Sequence, residues 1–139
     1  MSGDVLVVDD ESIVRDFFKD VASSLGGRVD TAEDGDVAVQ KCRQRHYDIV
    51  FMDMRMPNMN GLEACRSILN IDPKAKIVMM SGFSEEQMMD EAIKCGAICK
   101  ISKPFELKSI LQLIASALPG SRGGSGGSSD GPFCLLLAL

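Results

Sequence analysis

The chain has 139 residues, of which 45% are apolar and 25% charged, with a net charge of −5. That mixture describes one soluble globular unit and excludes a disordered or fibrous chain. The longest apolar run, 133–139, is far short of the roughly 20 residues that span a bilayer, and excess acid argues against direct binding to nucleic acid, which needs excess Lys and Arg.

In chain order, Val5, Leu6, Val7 and Val8 form a short β-branched run, the pattern of a strand buried on both faces. Residues 12–25 read as a helix, with Ile13, Val14, Phe17, Phe18, Val21 and Leu25 at three- and four-residue spacing, ended by Gly26 and Gly27. Residues 28–32 are a weaker strand, 36–45 a helix, and 48–52 a second continuous apolar strand. Then come a helix over 62–71, a strand over 76–80, a helix over 84–95 stopped by Gly96, a strand over 97–101, and a helix over 106–118. Five strands alternating with five helices predict a doubly wound α/β sandwich with a parallel sheet and right-handed crossovers.

In such folds ligands bind outside the carboxyl ends of the strands. The residues due there are Asp9 and Asp10 after the first strand, Asp53 after the third, Ser81 after the fourth, and Lys103 after the fifth. A lone Asp or Ser after a strand is usually an N-cap, and a Lys before a proline is commonly a solvated loop residue. Neither reading accounts for three carboxylates, a hydroxyl and an ammonium converging from four strands. Three adjacent carboxylates repel and raise one another's pKa. A hard cation such as Mg²⁺, which prefers oxygen ligands, would offset them together with Lys103. Carboxylates are also established nucleophiles towards phosphorus, so the cluster reads as a Mg²⁺-assisted aspartyl-phosphate site.

Four segments carry a resemblance. They are Val7, Val8, Asp9, Asp10 and Glu11; residues 51–57 with Asn60 and Gly61; Met80, Ser81 and Gly82; and Ser102, Lys103, Pro104 and Phe105. In order and spacing they resemble the signatures of response-regulator receiver domains, chemotaxis-regulator-like proteins of two-component signalling, over residues 4–118. The resemblance implies a flavodoxin-like strand order 2-1-3-4-5. It makes Asp53 the phosphoacceptor for a histidine kinase or histidine phosphotransfer protein. Asp10, Asp53 and the backbone carbonyl of Arg55 would hold Mg²⁺ (or Mn²⁺), with Asp9 acting mainly through metal-bound water. Ser81 would hydrogen-bond the phosphoryl group, and Lys103 would pair with it. The Lys103–Pro104 bond would be cis. Such a chain is a switch rather than an enzyme, catalysing only its own phosphorylation and slow autodephosphorylation. Its downstream target would bind the face made by helix four, strand five and helix five.

Three positions depart from the family or vary within it. Relatives carry an aromatic residue three positions before the lysine, where this chain has Lys100; an ammonium resists burial in an apolar slot, so Lys100 is expected on the surface. Phe83 and Arg55 flank the site entrance and should tune phosphate lifetime. Cys42, Cys65, Cys95, Cys99 and Cys134 show no paired CxxC spacing and read as free thiols of a reducing cytosol, and no secretory leader is visible. Eight of nine methionines lie between Met52 and Met89, and read first as core filler and second as an adaptable docking surface.

Six of the 13 glycines fall in the last 20 residues. The chain therefore divides into a body over 1–119, a flexible Gly/Ser linker over 120–132, and an apolar tail over 133–139. The tail reads as an appended cloning scar or as a docking peptide for an apolar groove of the same or a neighbouring chain. Two other functions use the same residues. One is a phosphorylation-silent interaction module on the same fold. The other is a Mg²⁺-dependent aspartyl-nucleophile hydrolase of the haloacid-dehalogenase type, which resembles D-x-D after strand one, whereas here the pair is adjacent and the candidate nucleophile ends strand three.

Overall fold

The computed structural model describes residues 3–56, 58–82, 86–103 and 106–117, the side chains of 86 and 87 excepted. Five strands, β1 (Asp4–Val8), β2 (Arg28–Ala32), β3 (Ile49–Asp53), β4 (Ile77–Ser81) and β5 (Cys99–Ser102), form one sheet. Their order is β2-β1-β3-β4-β5, and every pairing is parallel. Between and after them run α1 (Ser12–Ser24), α2 (Gly35–Gln44), α3 (Gly61–Ile71), α4 (Glu86–Cys95) and α5 (Leu107–Ala117).

Alternation along the strands sorts the core into two layers. Val5, Val7, Ile49, Phe51, Val78 and Met80 face α1 and α5, where Phe18, Val21, Ile110, Leu113 and Ile114 meet them. Leu6, Val8, Val50, Met52, Ile77 and Met79 face α2, α3 and α4, against Ala38, Val39, Leu62, Cys65, Ile68 and Met89. Every residue of β3 and β4 is buried, which is why both read as unbroken apolar runs ending in one polar residue. Phe51 anchors the first layer, with its ring centroid 4.5 Å from that of Phe18. Met52, Met54, Met79, Met80 and Met89 are buried, while Met56, Met59 and Met88 pack partly exposed against the same core. Core filler is therefore the reading that holds for the methionines.

Several element boundaries differ from the sequence expectation, each for a local reason. Helix α2 starts at Gly35 because Asp34 caps it, accepting from the Val37 N–H at 2.9 Å. Strand β3 starts at Ile49, and the Asp48 carboxylate accepts the Asp4 N–H at 2.7 Å. Strand β5 starts at Cys99 because Gly96, at φ +123°, turns the chain out of α4 while the Ala97 N–H returns to the Ala92 carbonyl at 3.0 Å. Cys42, Cys65 and Cys99 are buried and outside any disulfide, and Cys95 is exposed. No helix among the described residues is long and apolar enough to cross a membrane.

Candidate functional site

Parallel pairing brings the carboxyl ends of β1, β3, β4 and β5 to one edge. Val8 lies beside Met52, Asp53 beside Met80, and Ser81 beside Ser102. Asp9 and Asp53 are therefore held by buried strands, and both are buried themselves, as is Ser81; Asp10 is exposed at the mouth. Oxygen atoms of Asp9, Asp10 and Asp53 lie within 4.8 Å of one another. Lys103 reaches in from the end of β5, its Nζ 2.8 Å from Asp9 Oδ2 and 3.4 Å from Asp53 Oδ1. Its backbone N–H donates to the Ser81 carbonyl at 2.8 Å, so the hydroxyl and the ammonium are tied to the same pair of strand ends.

None of the three carboxylates is a helix cap. Glu11 stands at the N-cap of α1 without a side-chain capping bond, and Asn60 caps α3 by accepting from the Glu63 N–H at 2.9 Å. Two buried acids without a capping role are costly in a low-dielectric interior. Burial, followed by the Asp9 charge, pushes Asp53 up to about 7, and Lys103 only partly opposes this. Burial raises Asp9 as well, against the hydrogen bond from Lys103. Burial pulls the Lys103 ammonium down, yet its bond to Asp9 and the charges of Asp53 and Asp9 outweigh that and leave it raised. The site is thus a negative cluster that Lys103 only partly neutralises, and its all-oxygen donor set is that of a hard metal ion.

The loop after β3 is shaped to cover this edge. Met54 donates its N–H to the Met80 carbonyl at 2.9 Å and accepts from the Gly61 N–H at 2.9 Å, so the chain folds back onto the strand end. A Cβ at Gly61 would run into the Asp53 carbonyl oxygen and come 2.9 Å from Met54 Cα, so this close approach requires glycine. Asn58 occupies the left-handed region at φ 72°, which Asn tolerates. Arg55 lies exposed on the same loop.

Lys100 stays on the surface of β5 as expected, and its Nζ donates to Asp90 Oδ1 of α4 at 2.8 Å, an ion pair joining strand to helix. Phe83, Pro104 and the tail lie outside the described residues. Two residues of the site had no assigned role in the sequence reading. Glu11 places Oε1 3.4 Å from Lys103 Nζ, a third carboxylate around the lysine beside Asp9 and Asp53, and its backbone N–H donates to Asp9 Oδ1 at 2.9 Å. Arg15 donates from Nη1 to the Asp9 carbonyl at 2.8 Å, fixing the strand end from the first turn of α1. The acidic run through Glu11 was a usable signal for the first; nothing in the spacing marks the second.

Comparison with known proteins decides the family. The sequence profile of the response regulator receiver domain matches residues 5–115. The chain belongs to that receiver family. It is 40% identical over 111 residues to the chemotaxis protein CheY of Thermotoga maritima, covering 79% of this chain and 92% of that one. It is 37% identical over 119 residues to the chemotaxis protein CheY of Bacillus subtilis, covering 85% and 99%. Among solved structures, the receiver domain of NtrX from Brucella abortus superposes with a TM-score of 0.76 at 32% identity, covering 84% of this chain and 99% of that one. The strand order found here is the one expected from the resemblance. As a receiver domain, the chain is a signalling switch of two-component systems.

Proposed function

We propose that Asp53 is the phosphoacceptor and that Mg²⁺ (Mn²⁺ as a substitute) is held by Asp9, Asp10, Asp53 and the Arg55 carbonyl. The observation that carries this reading is the convergence of three carboxylates within 4.8 Å, with Lys103 Nζ 3.4 Å from Asp53 Oδ1. When bound, the ion supplies positive charge that keeps Asp53 ionised and offsets the charge of an incoming phosphoryl group. Asp53 then attacks the phosphorus of a phosphohistidine on a histidine kinase or phosphotransfer protein. The new O–P bond forms as the P–N bond breaks, and the electron pair leaves with the imidazole nitrogen. Lys103 leaves Asp9 to pair with the phosphoryl oxygens, and the Ser81 hydroxyl donates to one of them. That inward pull on the end of β4 shifts the segment leading to α4, and with it the surface of α4, β5 and α5 that a target protein binds. Hydrolysis of the acyl phosphate resets the switch. The five cysteines, which lack paired CxxC spacing in the sequence, and the acidic balance support a cytoplasmic setting for it.

The test is incubation with Mg²⁺ and acetyl phosphate followed by intact-mass measurement. One phosphoryl adduct is expected, absent in Asp53→Asn and when chelator replaces Mg²⁺. No adduct in the wild-type chain would leave a phosphorylation-silent module. Turnover of acetyl phosphate without adduct would indicate a hydrolase.

A further inference from the structure

Helices α1 and α5 pack against each other on one face of the sheet. Each follows a strand directly, so both start at the rim of the carboxylate crevice. Most of their apolar side chains serve the core, yet Ile13, the second residue of α1, is 74% exposed and Leu107, the first of α5, is 53% exposed. One turn on, Phe17 and Leu111 are half-buried and rest on the core beneath. Residues four apart share a helix face, so Ile13 continues into Phe17 and Leu107 into Leu111. Neighbouring helices stand about 8–10 Å apart, so the exposed first-turn residues Ile13 and Leu107 lie at the same end of two packed helices, the end where Glu11 and Lys103 sit.

The chain itself contains a segment of matching chemistry. Residues 133–139 are Phe, Cys, Leu, Leu, Leu, Ala and Leu, without a charge, joined to the body through a Gly/Ser-rich stretch over 120–132. Its reach fits the distance. From the end of α5 back to Leu107 is about 15 Å at the helical rise, and a Gly/Ser linker of this length has an r.m.s. span of roughly 20 Å. Effective concentration peaks when linker span matches site separation and lies in the millimolar range for short flexible linkers. A contact of only millimolar intrinsic affinity is then substantially occupied.

We infer that residues 133–139 dock in cis on the strip formed by Ile13, Phe17, Leu107 and Leu111.

Cys134 is a natural reporter for the docking. Cys42, Cys65 and Cys99 are buried, so a Cys95→Ser background leaves the tail thiol as the reactive one among these. Ser12→Cys adds a second thiol beside the intact strip, and Asp36→Cys adds one at the start of α2, across the sheet; both positions are exposed. With a short bismaleimide, intrachain cross-linking of Cys134 to position 12 is expected to be at least about tenfold faster than to position 36, and to fall to the position-36 rate when Leu107→Asp is added. Equal rates at the two positions would overturn the proposal. So would cross-links formed mainly between chains, which would assign the strip to a second copy. The acetyl phosphate adduct, measured on the same protein, is independent of either result.

Discussion

Asp53 holds its proton to about pH 7 because burial first, and the Asp9 charge second, oppose its ionisation. Between about 3.8 and about 7 the folded chain keeps a proton that the unfolded chain has released. Stability from this group is therefore fully present below that window and is lost as pH rises through it. In metal-free protein at pH 8 the ionised cluster is a net cost. Asp53→Asn is expected to raise the melting temperature there by on the order of 5 °C, with a much smaller gain at pH 4. Mg²⁺ should raise the wild-type melting temperature and leave the variant nearly unmoved, by mass action on the folded state. Thermal denaturation with and without Mg²⁺ checks both. At this scale the sequence revealed the three aspartates, the serine and the lysine, because each ends an apolar run. Glu11 and Arg15 escaped notice because their contribution depends on how the first turn of α1 wraps the end of β1.

Among the elements, the loop from β3 to α3 and the edge strand β2 carry the most information. The tight return at Gly61 predicts a specific defect. Gly61→Ala places a methyl against the Asp53 carbonyl and Met54, and overpacking of that kind costs about 1–3 kcal/mol. Urea denaturation should show the loss, together with slower phosphorylation by acetyl phosphate, because the Asp53 carbonyl must shift. At β2, Asp30 accepts the Tyr47 hydroxyl at 2.7 Å and pairs with Arg28 and Arg45. Burial alone would raise Asp30, but the Tyr47 bond and the charges of Arg28, Lys41 and Arg45 reverse this and hold it below its usual value. A depressed carboxylate stabilises above its unfolded pKa, and the contribution is lost as pH falls through the folded one. Tyr47→Phe should thus cost about 1 kcal/mol at neutral pH, and the gap between variant and wild type should narrow below pH 4, as followed by urea titrations across pH. Element types were legible because buried parallel strands leave continuous apolar runs. The starts of α2 and β5 were less so, since they are set by the Asp34 cap and the left-handed Gly96 rather than by hydrophobic period.

For the molecule as a whole, the two-layered core positions the site and the surface ion pair Lys100–Asp90 connects α4 to β5. Phe51 is fully buried between α1 and the sheet, two residues before Asp53. Phe51→Ala is expected to destabilise by about 3–5 kcal/mol in denaturant titrations and to lower phosphoacceptor yield through unfolding rather than chemistry. The doubly wound order was readable from alternation and motif spacing together. What Lys100 touches was not, since a bond across elements leaves no local pattern. The most direct test of the central claim is borohydride reduction of the chain after treatment with Mg²⁺ and acetyl phosphate, which converts an aspartyl phosphate to homoserine that peptide mass mapping can place. Homoserine at position 53 alone is the expected result; reduction at another residue, or phosphate retained with none at 53, would contradict it.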